Sequence, residues 1–401
     1  MTSNSSTTLP EVQQAILQLG GDDTASFPLY VSHDAPLPVL SSARHVLVRV
    51  LAVALNHCDY KMATNFPTPG GMAGCDFCGE VVAFGSTAAE EATYKLGARV
   101  CGAVFPYGSL LDADDARASG GQQQQSGSFA EYLTIDYDLV LRVPDSWSDL
   151  DAAALGAVGW GTVGLAMSDP EALALDGFPS APMTEGSPVL VYGGATAVGT
   201  MACQLLKLSG HIPIAVTSPA SSEIATRFGA LATAFYTESS CVSEARKHAA
   251  ETSDGEPIRH ALDIITSAES ASNCFAALAR TGGRYACLEG FSPEWRSRRA
   301  VKVKEVMGYE GLGHTVRFGE RGAEVVTYAR KANPQLATLN RRWLGEMQGL
   351  LDDGSVRHHP FRDISMAAER GGWACAVLEG LKLLQRGEVR GTRLVVRVAN
   401  L

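Results

Sequence analysis

Long apolar runs are missing from this 401-residue chain. No window reaches the ~18–20 apolar residues that a membrane span needs, which speaks against a membrane partner. The opening residues, MTSNSSTTLP, lack the basic and apolar regions of a secretory signal, so a cytoplasmic location is expected. Positive charge is scarce too. Against 43 acidic residues stand 33 lysines and arginines, and the net charge of −10 speaks against a nucleic-acid partner. Cysteines do not pair by count. The nine, spread from Cys58 to Cys375, fit free thiols in a reducing compartment better than a disulfide framework. Internal repeats are absent.

What is present suits two domains with sizeable cores. The length exceeds one ordinary domain, 46% of residues are apolar, and 41 glycines point to many tight turns. RHVLVRVLAVALN (44–56), GEVVAFG and ARVCGAV read as short strands with glycine punctuation, an irregular and mostly β unit. The acidic, glutamine-rich stretch Leu110–Ser128 reads as a solvated loop, and Asp169–Pro188 as an exposed connection. The pattern then alternates. PVLVYGG, HIPIAVTS, TAFYT, IRHALDIIT and GGRYACLEG are strands, with helices between them at TMACQLLKLSG, SEIATRFG, around Glu244–Thr252 and over Glu269–Arg280. That order predicts a parallel, doubly wound sheet. The tail adds an amphipathic helix, Trp373–Arg386, and a strand, TRLVVRV, expected to return to the first domain.

The most informative stretch is Val189–Gly210, a strand, then YGGATAVG, then a helix. Glycines at such a turn let the backbone approach a pyrophosphate, and the helix N-terminus supplies N–H groups and positive dipole. Gly193 and Gly199 fit, but Thr196 stands where a middle glycine belongs, so by itself the motif also suits a plain glycine-rich turn. The next strand ends in Thr217-Ser218-Pro219-Ala220-Ser221-Ser222, with nothing acidic before Glu223. An acid there would bind a ribose 2′-OH and repel a 2′-phosphate, so NADPH is expected. The serines equally read as a helix N-cap. No lysine or arginine lies in the serine run, which leaves the source of the compensating charge open.

Together with VRVLAVALNHCDYKM, LVYGGATAVGTMACQLLKLSGHIPIAVTSP, ALDIITSAESASNCFAALARTGGRY, VRHHPFR and LLQRGEVRGTRLVVRV, these residues resemble the trans-acting enoyl reductases of fungal polyketide pathways. Those enzymes are zinc-free members of the medium-chain dehydrogenase/reductase superfamily, and the resemblance covers nearly the whole chain. It implies an α/β protein with a GroES-like, mostly-β catalytic domain (1–165) and a Rossmann-type doubly wound parallel sheet (166–330). Residues 331–401 would return to the catalytic domain. It implies NADPH as reductant and an α,β-unsaturated thioester as substrate. The thioester would ride on the acyl carrier protein of a polyketide synthase or of a polyketide synthase–nonribosomal peptide synthetase hybrid. A monomer is expected.

The same resemblance assigns residues. Cofactor contacts would come from Cys58, Asp59, Tyr60 and Lys61, then from Ala195, Thr196, Ala197 and Val198. Ser218, Pro219, Ala220, Ser221 and Tyr236 would follow, with Leu288, Glu289, Val395 and Val396. The acyl chain would lie along Trp160, Gly161, Thr162, Val163, Gly164, Leu165, Ala166 and Met167, and along Tyr309, Glu310, Gly311, Leu312 and Gly313.

No metal is expected. By position in the superfamily the first zinc ligand falls on Asn56, a poor ligand, and the second on Cys75. The pair Cys75-x-x-Cys78 has no partner pair, and neighbouring His358 and His359 would point to opposite sides. Without a Lewis acid, reduction of a conjugated C=C is easier than that of a carbonyl. Related enoyl reductases place a proton-donating tyrosine soon after the Asn-x-x-Asp stretch, where this chain has Phe66. Lys61 is the nearest alternative, either as donor or as a cofactor contact, with solvent as the proton source in the second case. Thr162 either positions the thioester or a water, or is simply a helix-interior threonine. Two other functions stay open: a stand-alone NADPH quinone or enone reductase, and a non-catalytic nucleotide-binding scaffold.

Overall fold

The computed structural model describes residues 9–19, 27–106, 126–319, 328–368 and 371–398. Most of the glutamine-rich loop expected at Leu110–Ser128 lies outside the described residues.

Two large sheets organise the chain. The first has seven strands. In order across the sheet, Phe361–Asp363 is followed by Arg393–Arg397, His45–Ala54, Asp76–Phe84, Arg99–Ala103 and Val140–Arg142, and Tyr132–Asp136 pairs with His45–Ala54. The final strand runs antiparallel to His45–Ala54, with Val395 opposite Ala54 and Val396 opposite Val53. A smaller two-stranded sheet, Val12–Gln18 with Leu29–Pro36, adds to this lobe.

The second sheet is parallel and six-stranded. Its spatial order is Ala232–Phe235, Ile212–Thr217, Pro188–Tyr192, His260–Asp263, Gly283–Cys287 and Val301–Glu305. Alternate side chains serve opposite layers, as strand geometry requires. Val189, Val191 and Ala215 pack with Met201, Cys203 and Leu205 of the helix Ala197–Leu208. Leu190, Tyr192, Ile214 and Val216 pack with residues of the helices Cys241–Thr252 and Ala268–Ala277. Both faces are thereby covered, the doubly wound arrangement. Strand order reverses between Pro188–Tyr192 and His260–Asp263, and ligands of such sheets bind at that crevice.

The lobes are joined through Asp149–Ser168. This stretch is apolar and long enough to cross a membrane by length and composition, yet 78% of its 18-residue apolar window is buried inside the protein. It is also two helices, Asp149–Leu155 and Ala157–Ser168, broken at Gly156 with φ +73°. A Cβ at Gly156 would sit 1.8 Å from the Arg393 guanidinium, so glycine is required twice over.

The structure adds elements that the sequence reading did not name, the sixth parallel strand Val301–Glu305 and the sheet Val12–Gln18 with Leu29–Pro36, and departs from it elsewhere. The expected exposed connection after Asp169 is buried at its start: Ala172, Leu173 and Leu175 join the core, and Arg284 holds the Pro170 and Ala172 carbonyls at 2.9 Å. A long helix, Pro334–Asp352, stands where no helix was expected. Its signal was present, for Asn333 caps the Gln335 and Leu336 N–H groups and Pro334 takes the first helical position.

Candidate active site

One cavity of about 860 Å³ opens at the crevice of the parallel sheet and is lined by residues of both lobes. Its base is the turn after Pro188–Tyr192. Gly193 has φ +85°, and a Cβ on Gly199 would lie 2.2 Å from the Gly193 carbonyl oxygen. Only glycines let the helix Ala197–Leu208 start so close to the strand. Thr196 caps that helix, accepting the Gly199 N–H at 3.0 Å and donating to the Gly193 carbonyl at 2.8 Å. The threonine therefore closes the turn where a third glycine is missing. Ala197 and Val198, in the first turn where N–H groups have no partners along the helix, line the cavity. Such a helix end receives an anionic group.

Ser218, Ser221 and Tyr236 line the cavity beyond this turn, with the Ser218 hydroxyl donating to that of Ser221 at 3.1 Å. Three lysine or arginine side chains also line it: Lys61, Arg390 and Arg393. Lys61 is paired with Glu289 and Arg393 with Asp76, whereas Arg390 has no carboxylate partner among the described residues. Arg390 belongs to the loop before Arg393–Arg397. At the next residue, Gly391, a Cβ would lie 3.1 Å from Ile224, in the helix that follows the serines.

The catalytic side is built around the helix His57–Asn65. Asp59 caps it, its carboxylate accepting the Asn56 N–H at 2.7 Å. Asn56 donates to Asp76 at 2.9 Å and accepts from Arg393 at 2.6 Å. Asp76 also takes the Val158 N–H at 2.9 Å, which fixes the start of the helix Ala157–Ser168. Asn56, at the superfamily's first zinc-ligand position, is thus committed to a buried polar network. From the same helix, Lys61 crosses the cleft to Glu289 of the other lobe.

Sulfur and oxygen atoms crowd beneath Cys58. The Tyr309 hydroxyl lies 3.3 Å from the Cys75 sulfur and 3.2 Å from that of Met62. Burial pushes the Asp59 carboxyl up to about 7, against the pull of the Asn56 N–H and the Cys75 thiol. Hydrogen bonding with Cys58, then burial, pushes the Cys75 thiol up, and burial does the same to the Tyr309 phenol. Cys58, Asp59 and Cys75 hold their ligand-type atoms within 4.8 Å of one another. In the protein these groups bond to each other and to Tyr309. His358 and His359 diverge: the first reaches Asp151 at 3.2 Å, the second is buried 3.0 Å from the Thr200 hydroxyl.

Comparisons with known proteins now decide the family. Residues 42–145 match the alcohol dehydrogenase GroES-like domain. The chain is 48% identical to the trans-enoyl reductase calK of Penicillium decumbens, over 96% of this chain and 98% of that one. It is 47% identical to the trans-enoyl reductase sthE of Phaeosphaeria nodorum, with the same coverage of 96% and 98%. The chain belongs to the trans-enoyl reductases. Solved structures share the fold of this trans-enoyl reductase. The CurK enoyl reductase superposes with a TM-score of 0.66 at 16% identity, covering 96% of this chain and 99% of that one. A Pseudomonas syringae quinone oxidoreductase gives 0.64 at 19% identity, over 96% and 100%. A nicotinamide dinucleotide is the cofactor that this oxidoreductase fold implies, and the glycine cradle at 193–199 with the open helix end beside it fits its pyrophosphate.

The cavity gathers many of the residues assigned to the trans-enoyl reductase by resemblance. Cys58, Lys61, Ala195, Thr196, Ala197, Val198, Ser218, Ser221, Tyr236, Leu288 and Glu289 line it, as do Trp160, Gly161, Thr162, Tyr309 and Leu312. Others lie elsewhere. Asp59, Tyr60, Pro219 and Ala220 are outside the lining, and Val395 and Val396 are buried in the sheet, where Arg390–Leu394 meet the cavity instead. Along Ala157–Ser168 only the first turns face the cavity; Val163, Leu165, Ala166 and Met167 point into the core, and Gly164 lies against Trp343. Glu310 pairs with Arg330, Gly311 packs on Asn340 and Gly313 on Ala337. Sequence reasoning missed Asn340, Leu344 and Arg390. The Asn333-Pro334 helix start was a usable signal for the first two.

Proposed function

We propose that this trans-enoyl reductase reduces the α,β double bond of a polyketide thioester, presented by the acyl carrier protein of a separate synthase, with NADPH as reductant. The observation that carries the reading is one continuous cavity. It runs from the serine turn, past the helix end, to a pocket formed by Trp160, Thr162, Met307, Tyr309, Leu312 and Leu344. A dinucleotide entering from the serine end, nicotinamide foremost, and an acyl chain from the other end would meet near Lys61, Cys58 and Thr162. The lobe division expected at 1–165, 166–330 and 331–401 is kept as part of this proposal, with the helix Ala157–Ser168 spanning its first boundary. A monomeric, cytoplasmic enzyme is proposed with it.

When bound along Thr196–Val198 and Ser218–Ser221, NADPH would supply the hydride for the β-carbon, and the α-carbon would take a proton. The chain's own groups stabilise the charge that gathers on the thioester oxygen. The Thr162 hydroxyl lines the cavity and the Tyr309 phenol is held neutral, so either can donate to that oxygen. Lys61 is proposed as a positioning residue: its ammonium is held by Glu289 across the cleft, in the stretch assigned to the cofactor. Solvent then provides the α-proton. Ser218 and Ser221 with Arg390 are proposed to receive the 2′-phosphate.

The test is a comparison of NADPH oxidation with a 2-enoyl thioester on carrier protein or pantetheine and with a free enone. Reduction of the thioester, with solvent deuterium at the α-carbon and cofactor deuteride at the β-carbon, is expected. Faster reduction of the free enone would favour a stand-alone reductase, and no consumption of NADPH with either would favour a scaffold.

A further inference from the structure

Asn340 presents to the cavity an amide that no described residue bonds. The residue is 6% exposed. A buried amide normally finds a partner, because leaving one unmade costs more than an ordinary hydrogen bond contributes.

The surroundings are built to admit this side chain. A Cβ on Gly311 would lie 2.9 Å from the Asn340 Cβ and 3.0 Å from its Cγ. A Cβ on Gly161 would lie 3.7 Å from Oδ1. The carboxamide therefore sits between the helix Ala157–Ser168 and the turn Gly308–Leu312, beside the apolar Leu312 and Leu344. The helix also gives its depth. Gly159 faces Val198 of the cofactor helix, Thr162 faces Gly308 one turn on, and Leu165 lies beside Gly311, the glycine that Asn340 packs against. The Asn340 Cβ is thus at the level of Leu165, while its Oδ1 reaches back to Gly161, so the carboxamide spans the stretch of helix around Thr162. It faces the apolar part of the cavity assigned above to the acyl chain.

We propose that Asn340 is a specificity-determining residue that hydrogen-bonds a hydroxyl or carbonyl oxygen on the substrate chain beyond the β-carbon. This rests on the enoyl-thioester reading above. An amide both donates and accepts, so it suits either oxygen. Chains assembled from two-carbon units carry oxygen on alternate carbons, so after the double bond at C2–C3 the candidates are C5 and C7. The preferred class of substrate is a 5- or 7-oxygenated 2-enoyl thioester.

The test uses pantetheine thioesters of oct-2-enoic acid and its 5-hydroxy, 7-hydroxy, 5-oxo and 7-oxo derivatives, with the intact enzyme and with Asn340→Leu and Asn340→Ala. The intact enzyme should favour at least one oxygenated substrate over the parent by roughly tenfold in kcat/KM, the factor of one hydrogen bond. Both variants should lose that preference, the oxygenated substrates falling in kcat/KM by roughly tenfold more than the parent, with NADPH binding unchanged by fluorescence. An intact enzyme without the preference, variants that keep it, or an equal loss on parent and derivatives would each overturn the proposal. Failure to reduce any of these thioesters would instead overturn the reading on which it rests.

Discussion

Arg393, in the last strand, and Asp76, at the start of the strand Asp76–Phe84, form an ion pair whose side chains are only 5% and 1% exposed. The pair joins positions 317 residues apart and carries Asn56 and the start of the helix Ala157–Ser168 with it. Breaking one partner leaves a buried charge unpaired. Asp76→Asn or Arg393→Leu is therefore expected to cost about 3–5 kcal/mol. Urea unfolding would read it. A loss below about 1 kcal/mol would mean that water reaches the pair.

Lys61 and Glu289 connect the lobes at the mouth of the cavity, each substantially exposed, so little stability is expected from the pair. Lys61→Ala and Glu289→Gln should unfold like the parent protein. Both should weaken NADPH binding and slow turnover together if the pair positions the cofactor. Should Lys61→Ala lower single-turnover hydride transfer with NADPH affinity intact, the lysine would instead act in the transition state.

Arg390→Ala should weaken NADPH binding by about tenfold and leave NADH binding unchanged, since a charge-assisted bond to a phosphate contributes about 1.5–3 kcal/mol. Fluorescence titration gives both affinities without turnover. An equal loss for the two cofactors would place Arg390 at the shared pyrophosphate, and unmodified binding of both would remove it from the site.

Asp59 gives a pH dependence of known sign. Burial raises its carboxyl to about 7, against 3.8 for the free group. Between those values the folded protein keeps a proton that the unfolded chain has lost, so the Asp59 contribution to stability falls as pH rises from about 4 to 7. His359 and His260, lowered by burial to about 4, slope the other way below their ordinary value of 6.5. The measurement is therefore the difference between the parent and Asp59→Asn in Tm across that range. The variant should gain on the parent as pH rises, and a constant difference would contradict the shift.

Composition and local pattern by themselves determined the parallel sheet and its phosphate turn. The strand, the glycines, the cap at Thr196 and the helix all lie within Pro188–Leu208, so short-range backbone sterics and capping are enough to announce them. The absence of an acid at Ser218–Ser221 is local in the same way. Residues on one helix were harder to sort. Thr162 and Leu165 are three apart, yet one meets the cavity and the other the core, because the neighbouring turn Gly308–Leu312 and the helix Pro334–Asp352 decide which face is covered. Arg390, Asn340 and the Arg393–Asp76 pair depend wholly on packing between distant segments. Their roles depend on what stands opposite each side chain across a cleft or a sheet, and no local pattern encodes that neighbour.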